Sequence, residues 1–205
     1  MNRDVLLVPG LWMPAAAMGL LAARLAAAGF AARTFAWSGR EPLEAGVERM
    51  ARFAGRAFEG RAPHFLGHSL GGVLILETLS RDARLAAASV LLLGAPARGC
   101  FAGRRFAGFP PARWLMGASV SCWPAREARW SRAEPLGVIA GTAPVGLGRL
   151  LGALPGENDG VVTVEETAVE GMNAQARVDV GHSMLIFSAR VARLAGRFLA
   201  ERRLD

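Results

Sequence analysis

One six-residue segment, Gly67-His68-Ser69-Leu70-Gly71-Gly72, constrains most strongly what this chain can fold into. A short apolar run ends at this segment, and a second apolar run with helical character begins directly after it. A serine between glycines at such a junction is typical of a sharp strand-to-helix turn that exposes the serine side chain. A Cβ at position 67 or 71 would collide with so tight a turn. The segment therefore predicts a strand, a strained turn and a buried helix in succession.

The rest of the chain alternates between short apolar runs and amphipathic segments. Short apolar runs bounded by glycine and proline are typical of buried parallel strands, whereas apolar residues three and four positions apart indicate helices. This alternation predicts an α/β fold in which helices cover both faces of a mostly parallel sheet of about six strands. The predicted strands are 5–8, 32–37, 63–67, 87–93, 136–141 and 174–180, and the predicted helices are 15–28, 42–58, 70–80 and 188–201.

Residues 99–133 interrupt the alternation. A stretch of this length without a clear strand is too long for an ordinary connection, so it forms either a small cap over the site or a variable surface excursion. With no internal repeat or linker elsewhere, we expect residues 1–205 to form a single domain. The aromatic residues of the segment either line an apolar pocket or pack the segment onto the domain: Phe101, Phe106, Phe109, Trp114, Trp123 and Trp130.

Charge, hydropathy and cysteine content indicate which binding partners and which cellular compartment to expect. The net charge is +7, and all 24 basic residues are arginines. Because they are scattered, without a basic block or an aromatic platform, a GC-rich coding sequence explains them better than a nucleic-acid or acidic-membrane partner. No apolar run is long enough for a membrane span, and the N-terminal residues lack a secretory signal pattern. We therefore expect a cytoplasmic protein with reduced thiols at Cys100 and Cys122.

A serine hydroxyl becomes a useful nucleophile only when a base, usually histidine, removes its proton. The chain has three histidines. His64 begins a predicted strand at the wrong end of the sheet, and His68 is adjacent to Ser69, where neighbouring side chains point in different directions. His182 follows the sixth predicted strand, at the carboxyl end of the sheet where Ser69 also lies. His182 is therefore the candidate base, and the alternative is a structural histidine near a strand end.

A histidine base needs a carboxylate to fix its tautomer. Asp159 lies in Gly156-Glu157-Asn158-Asp159-Gly160, in the loop region after the fifth predicted strand, and is the candidate acid. Glu157 is the alternative, and an ordinary Asp-Gly turn would also explain Asp159. Three later glutamates are expected to be solvated charges: Glu165, Glu166 and Glu170.

Attack on a carbonyl also requires donors for the developing oxyanion. The backbone N–H of Leu70 is one candidate, and that of Leu11, after Pro9-Gly10, is the other; a plain turn at Pro9-Gly10 is the alternative. Residues expected to contact substrate are Trp12, Trp114 and Met184. We expect no metal or organic cofactor, because the sequence has no ligand cluster and no glycine-rich phosphate loop followed by lysine.

Together, these segments resemble the α/β-hydrolase family, in particular its small bacterial lipase-like and esterase-like members. The resemblance is carried, in the family's order, by residues 8–12, 67–72, 158–162 and 181–182. It implies a minimal α/β-hydrolase fold that lacks the first two strands of the full family, with strand order 2-1-3-4-5-6. Many relatives carry His-Gly where this chain has Pro9-Gly10, a change that donors on the backbone tolerate.

The expected activity is hydrolysis of a small-molecule carboxylic ester through Ser69, His182 and Asp159 and an acyl-enzyme intermediate. Two alternatives remain open at this stage. A thioesterase or acyltransferase would use the same three residues, and a non-catalytic protein of this fold would bind a ligand or partner without reacting. We expect neither nucleic-acid binding nor stable insertion into a membrane.

Overall fold

The computed structural model describes residues 3–145 and 154–205, and these form one six-stranded parallel sheet. The strand order is β2-β1-β3-β4-β5-β6, as the resemblance implied. The strands are β1 (Asp4–Val8), β2 (Ala31–Thr34), β3 (His64–His68), β4 (Ser89–Leu93), β5 (Leu136–Gly141) and β6 (Ala174–Val178). The α-helices are α1 (Gly19–Ala27), α2 (Leu43–Phe58), α3 (Leu70–Arg81), α4 (Phe101–Ala107), α5 (Pro110–Met116) and α6 (Ala189–Glu201).

Helices pack on both faces of the sheet because the central strands are apolar on both sides. In β1, Leu6 and Val8 pack in the core cluster that contains α2 and α3, whereas Val5 and Leu7 pack in the cluster that contains α1 and α6. All four side chains are fully buried. Alternate residues of a strand point to opposite faces, so a continuous apolar run is what a doubly covered strand requires.

Two edge strands are shorter than predicted. β2 ends at Thr34 instead of residue 37, and the chain then leaves the sheet so that the Trp37 indole donates to the carbonyl oxygen of Pro9 at 2.7 Å. β6 ends at Val178 because the backbone N–H of Val180 turns back onto the Val178 carbonyl at 2.8 Å. The predicted first helix begins as a 3₁₀ turn (Ala15–Met18) and becomes α-helical only at Gly19. Among the described residues, no helix combines the length and apolarity needed to cross a membrane.

The segment 99–133 is largely helical. It contains α4, α5 and a 3₁₀ helix (Gly117–Cys122), and a hydrogen bond from the Cys100 N–H to the Trp123 carbonyl at 3.0 Å closes this helical part of the segment. Its side chains are divided between the core and the surface. Trp123 and Trp130 are buried, whereas Trp114 is 72% exposed.

The turn between β3 and α3 has the strained geometry that the glycine pattern predicted. Ser69 has φ +52° and ψ −126°, a conformation that side chains other than glycine rarely adopt. A Cβ on Gly67 would lie 2.5 Å from the Gly72 Cα, and one on Gly71 would lie 2.3 Å from the Val8 carbonyl oxygen. Only glycines let α3 pack this closely against β1 and β3, and that packing holds the serine in its strained turn.

Candidate active site

Three polar side chains from different parts of the sequence meet at the carboxyl edge of the sheet. Ser69 follows β3, Asp159 lies between β5 and β6, and His182 begins a 3₁₀ helix (His182–Phe187) after β6. In a parallel sheet the carboxyl ends of all strands lie on one edge, so residues distant in sequence converge there.

The three side chains form a continuous hydrogen-bonded chain. His182 Nε2 lies 2.8 Å from Ser69 Oγ, and His182 Nδ1 lies 2.7 Å from Asp159 Oδ2. Asp159 is 1% exposed and His182 is 7% exposed, while Ser69 is only half-buried. With Nδ1–H donating to the carboxylate, Nε2 is left as an acceptor for the serine hydroxyl proton. This arrangement can remove that proton while the serine stays open to a ligand.

Hydrogen bonds to the carboxylate and to the main-chain carbonyl of Asp159 hold this residue in place. Its Oδ1 accepts hydrogen bonds from the backbone N–H groups of Val161 at 3.0 Å and Val162 at 2.8 Å, so only Oδ2 is left for His182. Its main-chain carbonyl also accepts the His182 N–H at 2.9 Å. The Asp-Gly turn therefore orients the carboxylate and holds the main chain of the histidine in register with it.

Glu157, the alternative acid, is excluded from this chain of hydrogen bonds. Its carboxylate instead pairs with Arg177 at 2.9 Å, where both side chains are largely exposed. His64 lies at the amino end of β3, and its Nδ1 lies 2.8 Å from the Ser89 Oγ.

His68 is buried beneath the site in a role that the sequence did not reveal. Its Nε2 lies 3.0 Å from the carbonyl oxygen of His182, and the two imidazole centroids are 5.0 Å apart. A carbonyl only accepts, so His68 Nε2 carries the proton. Its Nδ1 has no hydrogen-bond partner among the described residues. Burial, and secondarily the positive charge that His182 can carry, lowers the pKa of His68 to about 3.

The loop after β1 approaches the serine closely. A Cβ on Gly10 would lie 2.9 Å from the Ser69 Cβ and 3.2 Å from His68 Nδ1, so only glycine fits here. Leu11 follows directly, and Leu70 is the first residue of α3. Neither backbone N–H takes part in the backbone hydrogen bonds found among the described residues. Both therefore remain free to donate to a ligand atom near Ser69.

A cavity of about 180 Å³ opens beside Ser69 and His182. Its wall combines the loop after β1, the segment 99–133 and the loop after Asp159, and most of its side chains are apolar. They include Leu11, Phe106, Met116, Trp123, Val161 and Val162. The segment 99–133 thus contributes directly to the wall of the cavity next to Ser69.

Of the three residues expected to contact substrate, one lines this cavity and two do not. Trp12 lines it, and its ring packs edge-on against Phe106 with centroids 6.0 Å apart. Trp114 and Met184 lie outside the lining and are 72% and 56% exposed. Their contact with substrate stays a prediction, since the lining of this cavity does not include them. Among the segment's aromatics, Phe106 and Trp123 reach the cavity, whereas Trp130 is in the core.

Glu166 is not a solvated charge, contrary to expectation. Its carboxylate accepts the Thr163 N–H at 2.9 Å and the Phe101 N–H at 2.5 Å, while the Thr163 Oγ1 accepts the Glu166 N–H at 3.1 Å. Thr163-x-x-Glu166 is the pattern of a capping box, and it was visible in the sequence. Glu166 therefore joins the loop that carries Asp159 to the beginning of α4, the helix that forms part of the cavity wall.

Cys100 and Cys122 are both free thiols and both buried. Burial raises the pKa of Cys100 to about 12, and it also raises that of Cys122. The Cys100 Sγ donates to the Val161 carbonyl at 3.6 Å and accepts the Gly103 N–H at 3.2 Å, which caps α4. Within residues 3–145 and 154–205, no three histidine, cysteine or acidic side chains are grouped so that they could hold a metal ion.

Several solved structures have a fold similar to that of this chain. The Bacillus licheniformis lipase BlEst2 in its propeptide form superposes with a TM-score of 0.75 at 18% identity, over 90% of this chain and 47% of that one. The metagenomic carboxyl esterase MGS0156 gives 0.69 at 17% identity, over 90% and 65%. The RedJ thioesterase of the Streptomyces coelicolor prodiginine pathway gives 0.61 at 16%, over 97% and 88%.

The chain has the α/β-hydrolase fold. It spans about half the length of the lipase proform and 65% of the esterase. Comparison with protein-family models and with the sequences of curated proteins gives no match. In the α/β-hydrolase fold, a nucleophile at the strand-to-helix turn is followed in sequence by an acid and then a histidine. In this chain Ser69 lies at the strand-to-helix turn, and Asp159 and then His182 follow it in sequence.

Proposed function

We propose that this α/β-hydrolase-fold protein is a serine hydrolase that cleaves carboxylic esters. The observation that carries the proposal is the chain of hydrogen bonds from Ser69 Oγ through His182 to Asp159. A serine that donates to a histidine, which in turn is held by a buried carboxylate, is the arrangement that activates a hydroxyl for acyl transfer.

In the proposed reaction, Ser69 Oγ attacks the acyl carbon while His182 Nε2 takes its proton. The resulting imidazolium is stabilised by Asp159, which remains ionised and acts only by orientation and charge. His182 then gives the proton to the leaving alkoxide, and an acyl-serine remains. Water attacks this ester with His182 again as the base, which releases the carboxylic acid and restores the serine.

The developing oxyanion is expected to accept hydrogen bonds from the backbone N–H groups of Leu70 and Leu11. Leu70 also lies at the first turn of α3, where the helix dipole favours negative charge. Because the donors belong to the backbone, their position depends on the close packing of Gly10 against Ser69 and not on side-chain chemistry.

The apolar cavity supports an acyl group as its occupant. Leu11, Phe106, Met116 and Trp123 are among its lining residues, and burial of methylene groups against them would favour a hydrocarbon chain. Ser69 and His182 lie in the same lining, so the reacting carbonyl and its chain can occupy one continuous space.

The deciding experiment measures hydrolysis of p-nitrophenyl esters of increasing chain length together with labelling by a fluorophosphonate probe. Ser69→Ala should abolish both. Ser183→Ala is the matched control, because Ser183 lines the same cavity but is absent from the hydrogen-bonded chain. It should leave both readouts within about twofold. Undiminished labelling of Ser69→Ala would refute the proposal, as would a wild-type protein that turns over no ester in the panel.

Hydrolysis of thioesters is the second candidate, because a thioesterase is among the proteins of similar fold. The same acyl chains presented as thioesters would separate the two activities. A value of kcat/KM at least tenfold higher for the thioester than for the matching oxygen ester would favour thioester cleavage. The same three residues would carry either reaction.

A further inference from the structure

Trp12 has a backbone conformation that tryptophan rarely adopts. Its φ is +59°, in the left-handed region, where a bulky side chain is strained. Among the described residues, four other than glycine have a positive φ, and Ser69 at the nucleophile turn is one of them. Glu59 and Arg202 end α2 and α6, where a left-handed residue is common. Of the four, Trp12 therefore requires another explanation.

The strained residue is the third of a four-residue turn, residues 10–13. The Met13 N–H donates to the Gly10 carbonyl at 3.3 Å and closes this turn. A turn with a positive φ at its third residue normally has glycine or asparagine there. The Gly10 carbonyl and the Leu11 N–H belong to one planar peptide group, so they point in opposite directions. The bond that closes the turn therefore also fixes the direction of the Leu11 N–H.

Two contacts of the Trp12 side chain hold the turn against the segment 99–133. Its indole N–H donates to the Leu115 carbonyl, in α5, at 3.1 Å. Its ring packs edge-on against Phe106, in α4, with centroids 6.0 Å apart. Glycine suits the backbone conformation better but could make neither contact. Trp12 is also 47% exposed, so burial of apolar surface alone does not explain a tryptophan at this position.

The end of α5 that accepts this hydrogen bond is itself anchored to the rest of the domain. The guanidinium of Arg40, which precedes α2, donates to the Trp114 carbonyl at 3.1 Å, one residue before Leu115. The main-chain carbonyl of Arg40 accepts the Ala118 N–H at 2.9 Å. Because α5 is held in this way from a second loop, it gives the Trp12 indole a fixed point of attachment.

We infer that Trp12 is a positioning residue for the proposed oxyanion donor at Leu11. Its indole, bonded to α5 and packed on α4, holds the turn 10–13 in its strained conformation and thereby sets the direction of the Leu11 N–H. This inference rests on the proposed function, since it gives that N–H a role in ester hydrolysis. Trp12 also lines the cavity, so a direct contact with the acyl chain is the alternative that the test must exclude.

The test compares kcat and KM of wild type, Trp12→Ala and Trp12→Gly on a short and a long p-nitrophenyl ester. Both variants lack the indole, but glycine adopts a positive φ without the strain that alanine meets. We expect Trp12→Ala to lower kcat by about 30-fold on both esters. Trp12→Gly should recover about fivefold of that loss, although it offers an acyl chain even less contact than alanine does.

Phe109→Ala is the matched control, because it removes an exposed aromatic side chain of the same segment that does not line the cavity. It should leave kcat unchanged. Rates are expressed per active site, counted with the fluorophosphonate probe, so that unfolded protein does not contribute. A kcat for Trp12→Gly no higher than that of Trp12→Ala would overturn the inference. A loss confined to the KM of the long ester would also overturn it and would make Trp12 a substrate contact.

Absence of ester hydrolysis by wild type would instead refute the proposed function. Amide hydrogen exchange then tests the tether by itself, because the Met13 N–H closes the turn. Its exchange should become about tenfold faster in Trp12→Ala and stay at the wild-type rate in Phe109→Ala. A wild-type rate of exchange in Trp12→Ala would overturn the inference, whether or not the protein hydrolyses an ester.

Discussion

His68 Nε2 donates a hydrogen bond to the main-chain carbonyl of His182 at 3.0 Å, so two residues 114 positions apart are joined beneath the candidate site. The bond fixes the start of the 3₁₀ helix that carries His182. It also fixes the His68 proton on Nε2 and leaves Nδ1 without a partner in the part of the chain that the structure describes. Protonation of Nδ1 would create a buried, unpaired charge beside His182.

His68 should make the protein less stable as the pH falls. Its pKa is lowered to about 3 by burial, whereas the unfolded chain takes up a proton near pH 6.5, so the unfolded state binds more protons between these values. From pH 7 to pH 5, His68 alone should cost about 2 kcal/mol of stability. His68→Gln removes this titration and keeps an amide that can donate to the His182 carbonyl. Urea unfolding at the two pH values should show a smaller loss for the variant, and equal losses would contradict the assignment.

Asp159→Asn should lower kcat for ester hydrolysis by about four orders of magnitude. The amide retains an oxygen for the Val161 and Val162 N–H groups, but its NH₂ faces His182 Nδ1 and favours the wrong tautomer. Glu157→Gln is the control, because Glu157 pairs with Arg177 on the surface. It should leave kcat unchanged within about twofold. If Glu157→Gln were the more damaging variant, the choice of acid would be wrong.

Gly10→Ala should reduce kcat/KM by about 100-fold. The added methyl group would lie 2.9 Å from the Ser69 Cβ, so the loop that carries the Leu11 N–H must move away from the serine. Gly55→Ala provides the comparison, because a Cβ at this exposed position in α2 meets no atom within 4 Å. That variant should keep full activity and gain about 0.5–1 kcal/mol of stability. Retention of activity by Gly10→Ala would argue against a donor from this loop.

Phe106→Ala should shift the preferred acyl chain toward greater length. Phe106 lines the cavity and packs on Trp12, so its truncation enlarges the space beside Ser69 and removes contacts with short chains. We expect kcat/KM for short esters to fall by about tenfold and that for long esters to fall less. Trp114→Ala removes an aromatic ring from the same segment but outside the cavity, and it should leave the chain-length profile unchanged. If Phe106→Ala and Trp114→Ala had the same chain-length profile, the segment 99–133 would not form part of the proposed acyl site.

The local pattern of the sequence was sufficient to predict the main strands and helices and the strained turn at Ser69. Apolar runs mark buried strands, and the stripe Val47, Met50, Ala54 and Phe58 is buried along α2 as predicted. Boundaries at the sheet edges were less well predicted. β2 ends at Thr34, and beyond it the Trp37 indole donates to the Pro9 carbonyl, a partner that periodicity does not identify.

The geometry around Ser69 could not be predicted in the same way, because it depends on contacts between residues that are distant in sequence. Asp159 and Glu157 lie two positions apart in one loop, and only the fold shows that one reaches His182 while the other pairs with Arg177. Trp114 was expected to contact substrate, and only the fold shows that its side chain is 72% exposed and outside the cavity lining. The direction of a loop side chain is set by packing against elements that are remote in sequence.

By itself, the sequence determined the α/β alternation, the glycines that allow a strained turn at Ser69, and the order of serine, acid and histidine. These follow from local sterics and hydrophobic periodicity, which are written in neighbouring residues. Only the tertiary structure decided that His68 supports the main chain of His182 and that, within residues 3–145 and 154–205, the buried Trp123 indole N–H has no acceptor. Hydrogen-bond satisfaction is a property of the assembled interior, where partners come from different strands and loops, so no local pattern could have supplied it.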